Sequence, residues 1–208
     1  MNRRRPFQLA AAITTAVLLL VQPLSFAQET PAVSQGTIKI LGIEFDKIAV
    51  SLGHVFGNLK SGNDGDLEMI TLMLRLGKKI NHWFNLEDHK GTISLYLQPF
   101  IGTVFSPEDG VVLGKQIYLE YSYPLMEKLS FLTGFGTGPM YFGIDTIEQG
   151  SAGFEFFDTA KAGFSYQFNE DQAFFLEYHA VHISNLHLRD KNTGINAHGA
   201  MIGVMKKF

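Results

Sequence analysis

Apolar and polar side chains alternate with a period of two through most of this chain, the spacing of β-strands, whose successive side chains point to opposite faces. Ile70, Leu72, Leu74 and Leu76 share one face of a run that starts at Leu67, and Met69, Thr71, Met73 and Arg75 share the other. Ile93, Leu95, Leu97, Ile101 and Phe105 oppose Ser94, Tyr96, Gln98 and Gly102. Ile117, Leu119, Tyr121 and Tyr123 oppose Gln116, Tyr118, Glu120 and Ser122. Leu129, Phe131, Phe135 and Tyr141 oppose Ser130, Gly134, Gly136 and Gly138. Phe154, Phe156, Ala160, Phe164 and Phe168 oppose Glu155, Thr159, Lys161, Ser165 and Gln167. With Ile48–Phe56, Ala173–Asn185 and Ile195–Phe208 this predicts eight strands, and residues 37–45 form either a ninth run or an extension of the first.

An even number of strands from eight upward is what a single-chain outer-membrane barrel uses, apolar residues toward lipid and polar ones inside. The expected fold is therefore all-β, an eight-stranded antiparallel transmembrane β-barrel. The rival is a soluble sandwich or lipocalin-like barrel with its apolar face inward. Arg75, Glu120, Lys161 and Glu177 favour the membrane form, because they can pair inside a small barrel. Phe208, on a face with Val204 and Ile202, is similar to the terminal aromatic residue of assembled outer-membrane proteins, and Lys206 on that face can snorkel to the interface. An exported N-terminus places the connections 57–66, 106–110, 143–151 and 186–194 outside the cell. Pro124–Lys128 and Asn169–Asp171 are short, as periplasmic turns are. The long Lys78–Gly91 connection, with His82, Trp83 and His89, suggests no function.

Residues 1–27 read as a secretory signal peptide: Arg3–Arg5, an apolar stretch from Leu9 to Val21, and a small-x-small site at Ser25-Phe26-Ala27. The expected division is signal peptide 1–27, an N-terminal segment 28–46 and a barrel over 47–208. Loss of the signal leaves 14 basic residues against 20 acidic ones, a formal charge of −6. That balance gives no support to nucleic-acid binding, which wants a basic face. Eighteen Phe and 21 Gly suit β-structure with many turns, and the absence of cysteine excludes a lipoprotein anchor and disulfides.

Chemistry concentrates in the last third. Phe174, Leu176, Tyr178, Ala180, His182 and Ser184 share the outward face of the seventh strand, and Asn196 faces outward on the eighth. Polar groups facing lipid are costly unless paired or functional. A serine hydroxyl needs a neighbouring imidazole to take its proton, and the imidazole needs a third group to fix its tautomer. Ser184 as nucleophile, His182 as base, Asn196 as orienting group and Asn185 as oxyanion donor fit those roles. His179, His182, His187 and His198 are divided between faces and a loop, so no metal site is expected, and no cofactor. The glycines 134, 136 and 138 make room for large neighbours inside the barrel, and Asp158 stands alone on an apolar face.

His182-x-Ser184-Asn185 followed by Asn192-x-Gly194 resembles the lipid A 3-O-deacylase family, the PagL-type outer-membrane esterases, and residues 129–208 are similar in character throughout. The resemblance implies an eight-stranded barrel in the outer membrane of a Gram-negative bacterium. It implies lipid A of lipopolysaccharide as substrate, and metal-free hydrolysis of the ester-linked 3-position acyl chain. Two departures stand out: the family carries glutamate where this chain has Asn196, and Ala-Gly where it has Leu186-His187. A member with weakened or lost activity, serving as a small structural or interaction barrel, is the alternative expectation.

Overall fold

Strand alternation becomes a closed ring in the computed structural model of this chain, which describes residues 36–40 and 42–208. The signal segment expected over 1–27 lies outside the described residues. A short hairpin, β1 (Ile38–Ile40) with β2 (Ile43–Phe45), forms its own two-stranded sheet. Residues 37–45 are thus neither a ninth barrel strand nor an extension of the first. Gly42, at φ 82°, makes the turn that folds them back on themselves.

The ring runs β3 (Lys47–Gly57), β4 (Leu67–Lys79), β5 (Thr92–Ser106), β6 (Gly110–Pro124), β7 (Leu129–Thr137) with β8 (Pro139–Phe142), β9 (Gly153–Gln167), β10 (Gln172–Ser184) and β11 (Ile195–Lys207). Each pairs antiparallel with its neighbour, and β11 returns to β3, so the sheet has no open edge. The sequence pattern ran the seventh and eighth segments together, and they do follow one line. Ile117 opposes Thr137 and Gly114 opposes Met140 in a single register. Pro139 has no N–H to give the ladder, and the break falls there.

Outside, Leu97, Ile117, Phe135, Phe164, Phe174, Leu176 and Ile202 are exposed. Inside, Arg75, Gln98, Gln116, Glu120, Lys161 and Glu177 are buried. That is the inverse of a soluble barrel, and it fits a solvent of lipid. The interior is filled in layers. At the end where β3 begins and β11 stops, Ala49, Leu132, Ala173, Phe175 and Met205 pack together. The middle is ionic: Arg75 grips Glu177 with two hydrogen bonds of 2.9 and 2.6 Å, and Lys161 bridges Glu120 and Glu177 at 2.6 and 2.7 Å. Two cations meet two carboxylates, so the buried charge balances. At the opposite end a larger apolar cluster includes Val55, Met69, Phe100, Phe142, Phe157, Ile183 and Met201. Gly134 and Gly136 lie against the Tyr118 ring, where an added Cβ would come within 2.8 and 2.2 Å of it.

The 80–91 connection is held by buried Asn81, which donates to Leu86 O and Gly91 O and accepts from Ile93 N. A 3-10 turn, Asn81–Phe84, leaves Trp83 and Phe84 exposed at the end where β3 begins and β11 stops. Lys206 pairs with Asp171 at 3.6 Å at that same end, where a cation reaches the membrane surface.

Candidate active site at the end of β10

Hairpin geometry fixes which side chains meet. In the β10–β11 pair His182 stands directly opposite Asn196. The outward parity shared by both, with cross-strand side chains roughly 5 Å apart, brings imidazole and amide into contact. His182 Nδ1 and Asn196 Oδ1 are 2.8 Å apart. An amide oxygen only accepts, so with Oδ1 facing the ring the imidazole carries its proton on Nδ1. The Nε2 lone pair is then left to receive a proton.

Ser184 follows two residues on, at the last position of β10. It shares the outward parity of His182 but is 5 % exposed, so it does not stand open to lipid as the alternation alone suggests. The 185–194 connection folds back on the strand end, where Asn185 donates to Asn192 Oδ1 and Lys191 O. Gly194, at φ 73°, lies against the imidazole, where an added Cβ would sit 2.6 Å from Cε1 and 3.2 Å from Nε2. Among the described residues, no hydrogen bond joins Ser184 Oγ to His182. Catalytic hydrogen bonds in unliganded sites often tighten only around substrate.

Asn185 is fully buried, and its donors serve the connection. Its N–H donates to Asn192 Oδ1 at 3.1 Å and its Nδ2 to Lys191 O at 2.6 Å. Asn192 and Gly194, both part of the sequence motif, therefore act as a clamp and a spacer. Leu186 and His187 adopt left-handed backbone, φ 52° and 62°, where the family's pattern has a glycine at the second position.

Neighbouring connections brace this one. Gln149 Nε2 donates to Ile183 O at 3.4 Å, and Thr193 N donates to Glu148 O at 3.0 Å. The Glu148 carboxylate accepts from Lys60 N and Asn63 Nδ2. Arg189 reaches Glu155 and the backbone of Ser151 and Phe154. The loop partners among these, Lys60, Asn63, Glu148, Gln149 and Arg189, do not stand out in the sequence, because only the closed ring determines where their loops lie.

Beside the imidazole the barrel wall is hollow. A depression of about 490 Å³ is lined by Phe135, Gly136, Asp158, Ala160, Ala180 and His182, among others. Small residues on three adjacent strands form an apolar floor, and His182, Asn196 and Asp158 form a polar end. Asp158 is the residue that sequence reasoning left without a role. It stands opposite His182 in the β9–β10 register, on the side away from Asn196. The Asn169–Asp171 turn carried the signal: a turn centred on residue 170 places 158 across from 182.

The profile of the family described as lipid A 3-O-deacylase (PagL) matches residues 70–205, more than half of the chain. No curated protein matches the chain. Among solved structures, Neisserial surface protein A superposes with a TM-score of 0.56 at 13% identity, covering 78% of this chain and 96% of that one. The outer membrane enzyme PagL superposes with a TM-score of 0.51 at 16% identity, covering 76% and 97%. At these identities the structural likeness speaks for the barrel alone, while the profile spans both the strands and the hairpin that carries His182, Ser184 and Asn196. The chain belongs to the lipid A 3-O-deacylase (PagL) family.

Proposed function

We propose that this protein is an outer-membrane ester hydrolase that removes the 3-position acyl chain of lipid A by Ser-His catalysis. The observation that carries the reading is the His182–Asn196 hydrogen bond of 2.8 Å on the lipid-facing wall, one strand step from Ser184. It fixes the tautomer a general base needs. The apolar hollow beside it suits an acyl chain lying along the barrel. Residues 1–27 act as a cleaved signal peptide, and export sets the site in the outer leaflet, where lipopolysaccharide resides.

In the reaction, His182 Nε2 takes the Ser184 proton as Oγ attacks the ester carbonyl. Asn196 holds the ring throughout, and the oxyanion role assigned to Asn185 needs the 185–194 connection to shift, because that side chain is buried and its Nδ2 donates to Lys191 O. Collapse of the tetrahedral adduct sends the imidazolium proton to the departing sugar oxygen and leaves the acyl group on Ser184. Water, activated by the same imidazole, then releases the fatty acid. No metal or cofactor has a part in these steps.

Mass spectrometry of lipid A from cells with and without the protein tests the reading. Loss of one hydroxyacyl mass with the wild type, and none with Ser184→Ala, is the expected result. Activity retained in Ser184→Ala would remove that residue from the mechanism. A second reading, a barrel with weakened or no turnover, is favoured by a neutral amide where the family has an acid. Unchanged lipid A with the wild type folded in the outer membrane would select it.

A further inference from the structure

The site holds an imidazole that must become a cation, and its hydrogen-bonding partner, Asn196, carries no charge. An amide fixes a tautomer, yet a dipole offers much less to an imidazolium than a carboxylate does. An acid is registered against it on the other neighbouring strand. Asp158 of β9 is the registered partner of His182 across the β9–β10 ladder, as Asn196 is across the β10–β11 ladder. His182 is thus flanked on the outward face by an amide on one side and a carboxylate on the other. Directly opposed side chains in adjacent strands come within about 5 Å at Cβ. Both residues line the same hollow.

The carboxylate is anchored on the flank of β9 away from His182: Thr137 of β7 donates its hydroxyl to Asp158 Oδ1 at 2.5 Å, among the described residues the one hydrogen bond it accepts, and it forms no ion pair with His182, so any effect on the imidazole acts through space. Around it the wall is apolar, with Phe135, Ala160 and Ala180. An unpaired acid on a lipid-facing wall is expensive, and such residues mark function by default. The surroundings also keep the field strong, because neither lipid nor apolar side chains screen it as water would. Other charged or titratable groups near the imidazole are His198 on β11 and His187, Asp190 and Lys191 in the connection, and none of these is registered against His182.

We infer that Asp158 supplies the negative charge that Asn196 lacks: it stabilises the His182 imidazolium through space from the neighbouring strand and so keeps the Ser184 site competent. The inference rests on the proposed esterase reading and deepens it. Asp158 is a positioning residue in this scheme, since it acts through His182 and touches neither Ser184 nor the scissile ester. The family's usual arrangement puts orientation and charge in one side chain; here they are divided between two strands.

The test uses the mature protein folded in detergent micelles and purified lipopolysaccharide, with release of the 3-position acyl chain followed by mass spectrometry. Folding of every variant is checked by heat-modifiable gel mobility. Asp158→Asn is expected to lower kcat roughly ten- to a hundred-fold with KM changed by less than about two-fold, because the charge matters only as the imidazolium forms. Asp158→Glu should recover most of that loss. With the acid restored by Asn196→Glu, Asp158→Asn should cost several-fold less than in the wild-type background. Wild-type kcat in Asp158→Asn, with Ser184→Ala inactive, overturns the inference and leaves the esterase reading intact. An equal loss in both backgrounds assigns Asp158 a structural role and also overturns it. A folded but inactive wild type, or an active Ser184→Ala, removes the esterase reading and the inference with it. Should Asp158→Asn fail to fold, Asp158→Ala takes its place under the same expectations.

Discussion

Asn196 is where one side chain decides between orientation and charge. Its amide oxygen holds His182 at 2.8 Å but leaves the imidazolium to other groups. Asn196→Glu should raise deacylation by roughly ten-fold or more, since an ionised partner holds the developing cation better. Asn196→Ala should lower it. Initial rates on purified lipopolysaccharide check both, and an Asn196→Ala variant as fast as the wild type would break the assignment of the third residue. A few positions away, His187 sits at φ 62° with a side chain that this backbone disfavours. His187→Gly should raise the unfolding free energy by about 1 kcal/mol, read from urea midpoints in lipid vesicles. At this scale the pairing of His182 with Asn196 was legible from sequence, because parity alone put both on one outward face. The burial of Ser184 was not, because alternation reports which way a side chain points and says nothing of what packs around it. Nor did the sequence reading use the β9–β10 turn to find Asp158, although the turn itself was recognised.

Among the elements, the 185–194 connection shows how a loop can be as constrained as a strand. Gly194 combines left-handed backbone with van der Waals contact to the imidazole. Gly194→Ala should displace the ring and cut kcat by roughly ten-fold or more, with a stability loss of only about 1–2 kcal/mol. A full unfolding of the variant, or unchanged kcat, would contradict that. The strands themselves were legible because both faces are under selection by solvent, lipid on one side and packed interior on the other. The 37–45 run was not, since a two-stranded hairpin has the same alternation as a barrel strand. The break between β7 and β8 follows from one missing N–H at Pro139, a local event that leaves the hydrophobic period untouched.

For the whole molecule, the ionic middle layer is the feature on which the barrel's integrity turns. Glu177 accepts from Arg75, Lys161 and His179 with almost no exposure. Glu177→Gln would leave two buried cations facing one carboxylate, and should destabilise the folded barrel by about 3–5 kcal/mol, measured by urea unfolding in vesicles. Replacing an exposed outer residue such as Leu97 by Ala should cost much less than that. The layers above and below Glu177 are apolar and packed, Met73, Phe100, Phe157 and Met201 on one side and Phe175 and Met205 on the other. Planar bilayers holding the folded protein should accordingly show no stepwise ion current. A cell can then carry many copies of this barrel without surrendering its permeability barrier. If the proposed hydrolysis holds, its water has to arrive from among the lipid headgroups, which makes hydration of that layer, rather than traffic through the lumen, the supply line of the reaction.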